Sequence, residues 1–261
     1  MDQRTVSGKR VAITGASSGI GKEIAYDVAR RGGIPILLAR SLDVLEQEAD
    51  MIESATNIRP FVYRLDVSDE QAVQTTFEEI GNIDVLINNA GYGRFAPFVE
   101  TELSEVRNLF DVNVFGLIAC TKAVLPSMLH KRCGQVIFVA SLASKVSTPK
   151  ASAYSASKHA VRAIADSLRL ELAHTGVKVS TVNPGPVRTN FFERADESGS
   201  YKEQVDRIML NADIVARKTV DLIERPRREL DLPRWMGIAA KGYQLFPSLV
   251  DTLFGDQLRK K

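Results

Sequence analysis

The sequence predicts an α/β fold built on a doubly wound parallel sheet, and three observations carry that prediction. Short apolar runs alternate with longer segments of helical spacing along most of the chain. The runs VAIT at 11–14 and QVIFVA at 135–140 are apolar almost throughout, as strands are when helices cover both of their faces. No linker rich in Pro, Gly or Ser breaks the alternation, so all 261 residues read as one domain.

Taken in order, the apolar runs place strands at Arg10–Thr14, Ile34–Leu38, Phe61–Arg64, Val85–Asn88, Gln135–Ala140 and Val177–Val182, with a weaker seventh at Glu229–Leu232. Helical spacing and good helix formers place helices at Lys22–Arg31, Asp43–Glu53, Glu70–Ile80, Leu103–Leu129 and Ala153–His174. Asn113 is a poor helix former inside the fourth of these, which marks it as a helix-face residue or as a kink that anchors water. In open sheets of this kind ligands bind beyond the carboxyl ends of the strands, so the residues after each strand are the candidates for function.

Composition narrows the field. Lys and Arg total 34 against 32 Asp and Glu, a net charge of +2 with no basic stripe interleaved with aromatics, which argues against nucleic acid as a partner. Cys120 and Cys133 form no CxxC or Cys/His pattern, so neither a metal site nor a disulfide framework is expected, and a reducing, cytoplasmic location is the simplest reading. The opening residues MDQRTVSGKR lack the apolar stretch of a signal peptide, and unbroken apolar runs fall short of spanning length.

Thr14-Gly15-Ala16-Ser17-Ser18-Gly19-Ile20-Gly21 joins the first strand to the first helix. Glycines there let the backbone turn sharply and approach a pyrophosphate, which the positive end of the helix attracts. A site preferring NAD usually carries a carboxylate at the end of the second strand, where this chain has Arg40. A guanidinium suits a 2′-phosphate, so NADP(H) is favoured while NAD(H) stays open.

Tyr154 and Lys158 stand four apart on a predicted helix and so share one face. A nearby ammonium favours the phenolate and brings tyrosine toward general acid/base work. Ser141 follows an apolar strand, where its hydroxyl can meet a substrate oxygen. His130, His159 and His174 lack the G-x-S-x-G elbow of a hydrolase.

TGASSGIG at 14–21, NNAG at 88–91, the helical Asn113, Ser141, YSASK at 154–158 and PGPVRT at 184–189 occur in the order and spacing of the classical short-chain dehydrogenase/reductase family, which the chain closely resembles over about residues 7–233. The resemblance implies a Rossmann-type fold and reversible reduction of a ketone or aldehyde. It implies that Tyr154 is the general acid, that Lys158 lowers its pKa and binds the nicotinamide ribose, that Ser141 polarises the carbonyl, and that Asn113 holds the water of a proton relay. It also implies that Gly15, Ser17, Ser18, Gly19, Ile20 and Gly21 hold the cofactor phosphates, with Asp66 at the adenine. Asn88 and Ala90 would then lie on the adenosine side and Val187 and Thr189 by the nicotinamide amide, with Gly91, Pro184 and Gly185 also among the cofactor-binding residues. Asp66 could instead belong to a helix cap, with Ser68 or Asp69 as the capping residue. A homodimer or homotetramer is the family's usual assembly, and a non-catalytic NADP-binding regulator is the rival reading of the same fold.

Two segments lie outside these motifs. Residues 186–213, with Phe191, Phe192 and Tyr201, are expected to form a substrate loop and short helices whose aromatics suit an apolar substrate. The apolar extension 234–261 admits three readings: a lid, a contact between subunits, or an interfacial segment on a membrane beside Arg259, Lys260 and Lys261. The membrane reading ranks last.

Overall fold

Alternate residues of one strand face opposite layers of helices, which explains why the strands are apolar at successive positions. The computed structural model describes residues 5–196, 203, 205–248 and 252. Val11 and Ile13 of β1 (Arg10–Thr14) pack into one core with Ile24 and Val28 of α1 (Gly19–Arg30), while Ala12 between them joins the core on the other face. In β2 (Ile34–Ala39), Leu37 goes to the first core and Ile36 and Leu38 to the second.

The chain continues through α2 (Leu42–Thr56), β3 (Phe61–Arg64), α3 (Glu70–Ile80) and β4 (Val85–Asn88). A long helical rod follows, made of α4 (Leu103–Phe110), a π-helical segment (Asp111–Gly116) and α5 (Leu117–Lys131). Then come β5 (Gly134–Val139), α6 (Ser152–Glu171) and β6 (Val177–Pro184). After these lie β7 (Val187–Arg188), α7 (Phe191–Ala195), β8 (Leu210–Asn211), α8 (Ala212–Glu224), β9 (Glu229–Leu232) and α9 (Arg234–Leu245). The main sheet has the order β3-β2-β1-β4-β5-β6-β9 with every pairing parallel, and β7 pairs with β8 in a small separate ribbon. Strand order reverses between β1 and β4, which opens a crevice at their carboxyl ends.

All seven predicted strands are present, and the ends of β2, β5 and β6 are shifted. β5 ends at Val139, so Ser141 sits two residues beyond it, as the N-cap of the turn Leu142–Ser144. α1 begins at Gly19 rather than Lys22, because Gly19-Ile20-Gly21 already forms its first turn. α8 falls on a stretch for which no helix was predicted. The helix expected at Leu103–Leu129 is interrupted by the π segment, in which Asn113 lies fully buried. Although its apolar runs are short, the rod 103–131 is long and apolar enough to cross a membrane. Its Leu117, Cys120, Val124 and Met128 instead pack into the second core, as in the core helix of a globular domain. Tyr201, Phe254 and Arg259–Lys261 lie outside the described residues.

Gly116, at the end of the π segment, lets the rod press against the β3–α3 connection. A Cβ there would lie 2.7 Å from Val67 Cγ2 and 2.8 Å from the Val67 carbonyl oxygen. Replacing a helical glycine with alanine ordinarily stabilises by about 1 kcal/mol, but overpacking against backbone costs about 1–3 kcal/mol. Gly116→Ala is therefore expected to destabilise the domain by about 1 kcal/mol, seen as a lower denaturation midpoint; a higher midpoint would contradict the packing argument.

Candidate active site

The β1–β4 crevice is bridged by two side chains. The Thr14 hydroxyl at the end of β1 accepts from the amides of Asn89 and Ala90, both at 3.0 Å. The Asn89 side-chain amide donates to the carbonyls of Thr14 (2.9 Å) and Gly15 (3.2 Å). These bonds join the glycine turn to the segment after β4. The glycines follow from that closeness: a Cβ at Gly21 would lie 2.4 Å from the Gly15 oxygen, and one at Gly15 would lie 2.9 Å from Ala90 Cα. Gly15 and Gly19 also adopt left-handed backbone, with φ of 66° and 57°.

The turn suits a pyrophosphate. Ser18 makes no side-chain cap to α1, and no acidic residue stands in the helix's first turn to compete with an anion. Thr189 faces the turn, its Cγ2 3.3 Å from where a Gly19 Cβ would be. Ile20 packs against the first core, which Val187 joins, so both act as walls. Pro184 is buried at the end of β6, and Gly185 N–H bonds the Leu232 carbonyl at 2.6 Å, so these two carry the chain out of the sheet.

Arg40 is exposed just past β2. Asp66 lies near enough to sense its charge. Burial tends to raise the Asp66 pKa, but hydrogen bonds from the Ser68 hydroxyl and amide, together with Arg40, hold it below the ordinary carboxylate value. The cap of α3 is Asp69, which accepts from the Ala72 amide at 2.9 Å. Lys22 is committed to Glu48 at 2.7 Å. The Asn88 side-chain amide is buried and donates to Thr121 of α5 at 2.9 Å, so only its main chain faces the crevice end of β4. Its neighbour Asn89 braces the glycine turn together with Thr14, and sequence reasoning singled out neither.

Tyr154 and Lys158 come together on α6. Lys158 is buried, its Nζ 3.2 Å from the Val139 carbonyl at the end of β5 and 5.9 Å from the Tyr154 ring centre. Burial lowers its pKa to about 8. The π segment brings Asn113 beside this pair: a Cβ on Gly91 would lie 2.9 Å from Asn113 Oδ1 and 3.4 Å from Lys158 Nζ. The Asn113 side chain accepts from the Tyr92 amide at 3.0 Å and donates to the Tyr92 carbonyl at 2.9 Å and the Ser157 hydroxyl at 3.1 Å. Both of its amide hydrogens are thus taken up by the protein.

Ser141 accepts from the Ala143 amide at 3.1 Å and donates to the Pro184 carbonyl at 3.4 Å. Over Tyr154 stands an aromatic wall, with Phe95 at 5.7 Å edge-to-face and Phe191 at 5.6 Å between ring centres, and Phe192 packed behind. α9 lies beside these strand ends, its Gln244 donating to the Lys145 carbonyl at 3.0 Å, while Trp235, Ile238 and Leu245 point outward.

Comparison with known proteins agrees with this geometry. The profile of the short chain dehydrogenases matches residues 9–199. The chain belongs to the short-chain dehydrogenase/reductase family. It is 41% identical over 192 residues to dehydrogenase/reductase SDR family member 7B of Xenopus laevis, covering 69% of this chain and 58% of that one. The match thus spans less than two thirds of that relative's length. A short-chain dehydrogenase from Sphingobium yanoikuyae in complex with NADPH superposes with TM-score 0.80 at 27% identity, over 92% of this chain and 95% of the other. One from Burkholderia phymatum in complex with NAD gives 0.85 at 26% identity, over 95% and 96%. Membership of this oxidoreductase family and the nucleotide-bound neighbours support a nicotinamide cofactor, and the crevice residues fit one.

The Lys158 environment has a measurable consequence. Its folded pKa of about 8 lies below the unfolded value of 10.5, so the folded state binds fewer protons between those limits. The burial cost is therefore complete below pH 8 and fades as pH rises toward 10.5. Lys158→Met, without cofactor, is expected to be more stable than the parent at pH 7 by on the order of 3 kcal/mol. Denaturation at several pH values should show that gain shrinking above pH 8; a gain independent of pH would contradict it.

Proposed function

We propose that this chain is an NADP(H)-dependent carbonyl reductase or alcohol dehydrogenase acting on an apolar ketone or aldehyde. The observation that carries the reading is the buried Lys158 amine lying between the Tyr154 ring and the end of β5. An ammonium there lowers the cost of a phenolate, which is what a tyrosine needs to exchange a proton near neutral pH.

The glycine turn and the start of α1 would hold the pyrophosphate, Arg40 the 2′-phosphate, Asp66 the adenine side, Lys158 the nicotinamide ribose, and Val187 and Thr189 the nicotinamide amide. A nicotinamide bound there would supply hydride chemistry, and these residues would hold and orient it. Tyr154 delivers the proton to the carbonyl oxygen, giving the alcohol. Ser141 can turn its hydroxyl from the Pro184 carbonyl to that same oxygen, since the bond it leaves is long at 3.4 Å. Phe95, Phe191 and Phe192 present an apolar wall and exclude water, which favours an apolar substrate. The reading includes a homodimer or homotetramer, for which Phe115 and Leu129 of the rod and Leu170 of α6 offer exposed apolar surface. It also includes a cytoplasmic location, in keeping with two free cysteines.

Two variants test it. Tyr154→Phe is expected to lower turnover of a carbonyl panel by about 100-fold or more while NADPH affinity, titrated by fluorescence, stays within about twofold. Turnover by that variant at the parent's rate would remove Tyr154 from the mechanism, and tight cofactor binding with no turnover by the parent would favour a regulator. Arg40→Asp is expected to weaken NADPH binding by at least about tenfold through loss of a charge-assisted contact. NADH binding should change little; equal weakening of both would make Arg40 a bystander.

A further inference from the structure

Lys145 is a buried charge that the mechanism above does not use. Its side chain is 1% exposed, and Nζ meets Glu229 Oε2 and Asp231 Oδ1, each at 2.6 Å. Arg162 adds a second cation on Glu229 at 3.3 Å. Two cations thus balance two carboxylates, so the cluster carries no net charge, as burial requires.

What makes the cluster more than a clamp on the edge strand β9 is where its connections lead. Ser141 and Lys145 are the two ends of one tight turn, closed by Ser144 N–H to the Ser141 carbonyl and Lys145 N–H to the Leu142 carbonyl, both at 2.9 Å. A displacement of Lys145 therefore displaces Ser141. Asp231 Oδ1 also accepts from the Asn183 side chain at 2.8 Å. Asn183 directly precedes Pro184, whose carbonyl receives the Ser141 hydroxyl. Both sides of the Ser141–Pro184 hydrogen bond thus trace back to a single carboxylate oxygen. The Asp231 side chain sits tightly under α9: a Cβ on Gly237 would fall 2.3 Å from its Oδ2.

We infer that Lys145 and Asp231 are positioning residues that set where the Ser141 hydroxyl stands at the carbonyl subsite. This rests on the reductase reading of that site. Because the Ser141–Pro184 contact is itself long, the hydroxyl is placed by the anchoring of its neighbours and stays free to rotate toward a substrate oxygen.

A double-mutant cycle separates positioning from general support of the fold. Asp231→Asn keeps the shape and weakens the hold on Lys145. It is expected to lower kcat by about tenfold with KM and NADPH affinity within about twofold. In a Ser141→Ala background the same change should lower kcat by less than about twofold, because there is no hydroxyl left to misplace. Equal losses in the two backgrounds, or none in either, would overturn the inference, as would loss of NADPH binding together with kcat. Lys145→Arg is expected to restore more activity than Lys145→Met, and equal activity of the two would count against it. If the parent protein turns over no carbonyl, the reductase reading fails by itself and hydrogen exchange decides the positioning: Asp231→Asn should speed exchange of the Ala143 and Ser144 amides by about tenfold while the amides of β4 are unchanged. Uniform acceleration, or none, would overturn it.

Discussion

The approach of the glycine turn to the segment after β4 is the contact on which the rest of the site depends. With 2.4 Å between the Gly15 oxygen and any Cβ at position 21, no side chain is tolerated there. The same closeness allows Asn89 and Thr14 to bridge two strands whose loops would otherwise diverge. It fixes the direction in which α1 leaves the sheet and hence where its unpaired N–H groups point. It also sets the position of Gly91, the small residue that leaves room for Asn113 and Lys158. The glycine turn and the Tyr154–Lys158 pair are thus built against one another across a single crevice.

Two buried lysines in this fold illustrate how environment assigns a role. Lys145 lies between two carboxylates and closes a neutral cluster. Lys158 has a carbonyl oxygen and an aromatic face for company, and its pKa falls to about 8. The first kind of site holds a charge fixed among opposite charges, while the second brings an amine's titration closer to neutral pH. The π segment serves the second. By inserting an irregular turn into a core helix, it buries the Asn113 amide against Tyr92 and Ser157, where a regular helix would have run past.

Much of this was legible in the chain itself. Continuous apolar runs identified the strands, and the parallel sheet followed from their alternation with helices. The Tyr154–Lys158 spacing put both residues on one helix face, because a helix obeys its own period regardless of context. Glycines at 15, 19 and 21, and Arg40 where a carboxylate could have stood, were likewise visible as residue types at particular positions along a strand–turn–helix unit.

What only the tertiary structure decided were choices between neighbours and contacts between distant segments. Asn88 and Asn89 are identical in type and adjacent, yet one reaches Thr121 in the helix layer and the other braces the glycine turn. A strand turns successive side chains to opposite faces, and no local pattern says which face will meet which layer. Lys145 pairs with carboxylates more than 80 residues away in the sequence, on a strand whose place beside β6 exists only once the sheet has closed. The chain by itself specified local geometry and residue chemistry. Strand register and helix packing determined which of those residues met, because these interactions act through space rather than along the backbone.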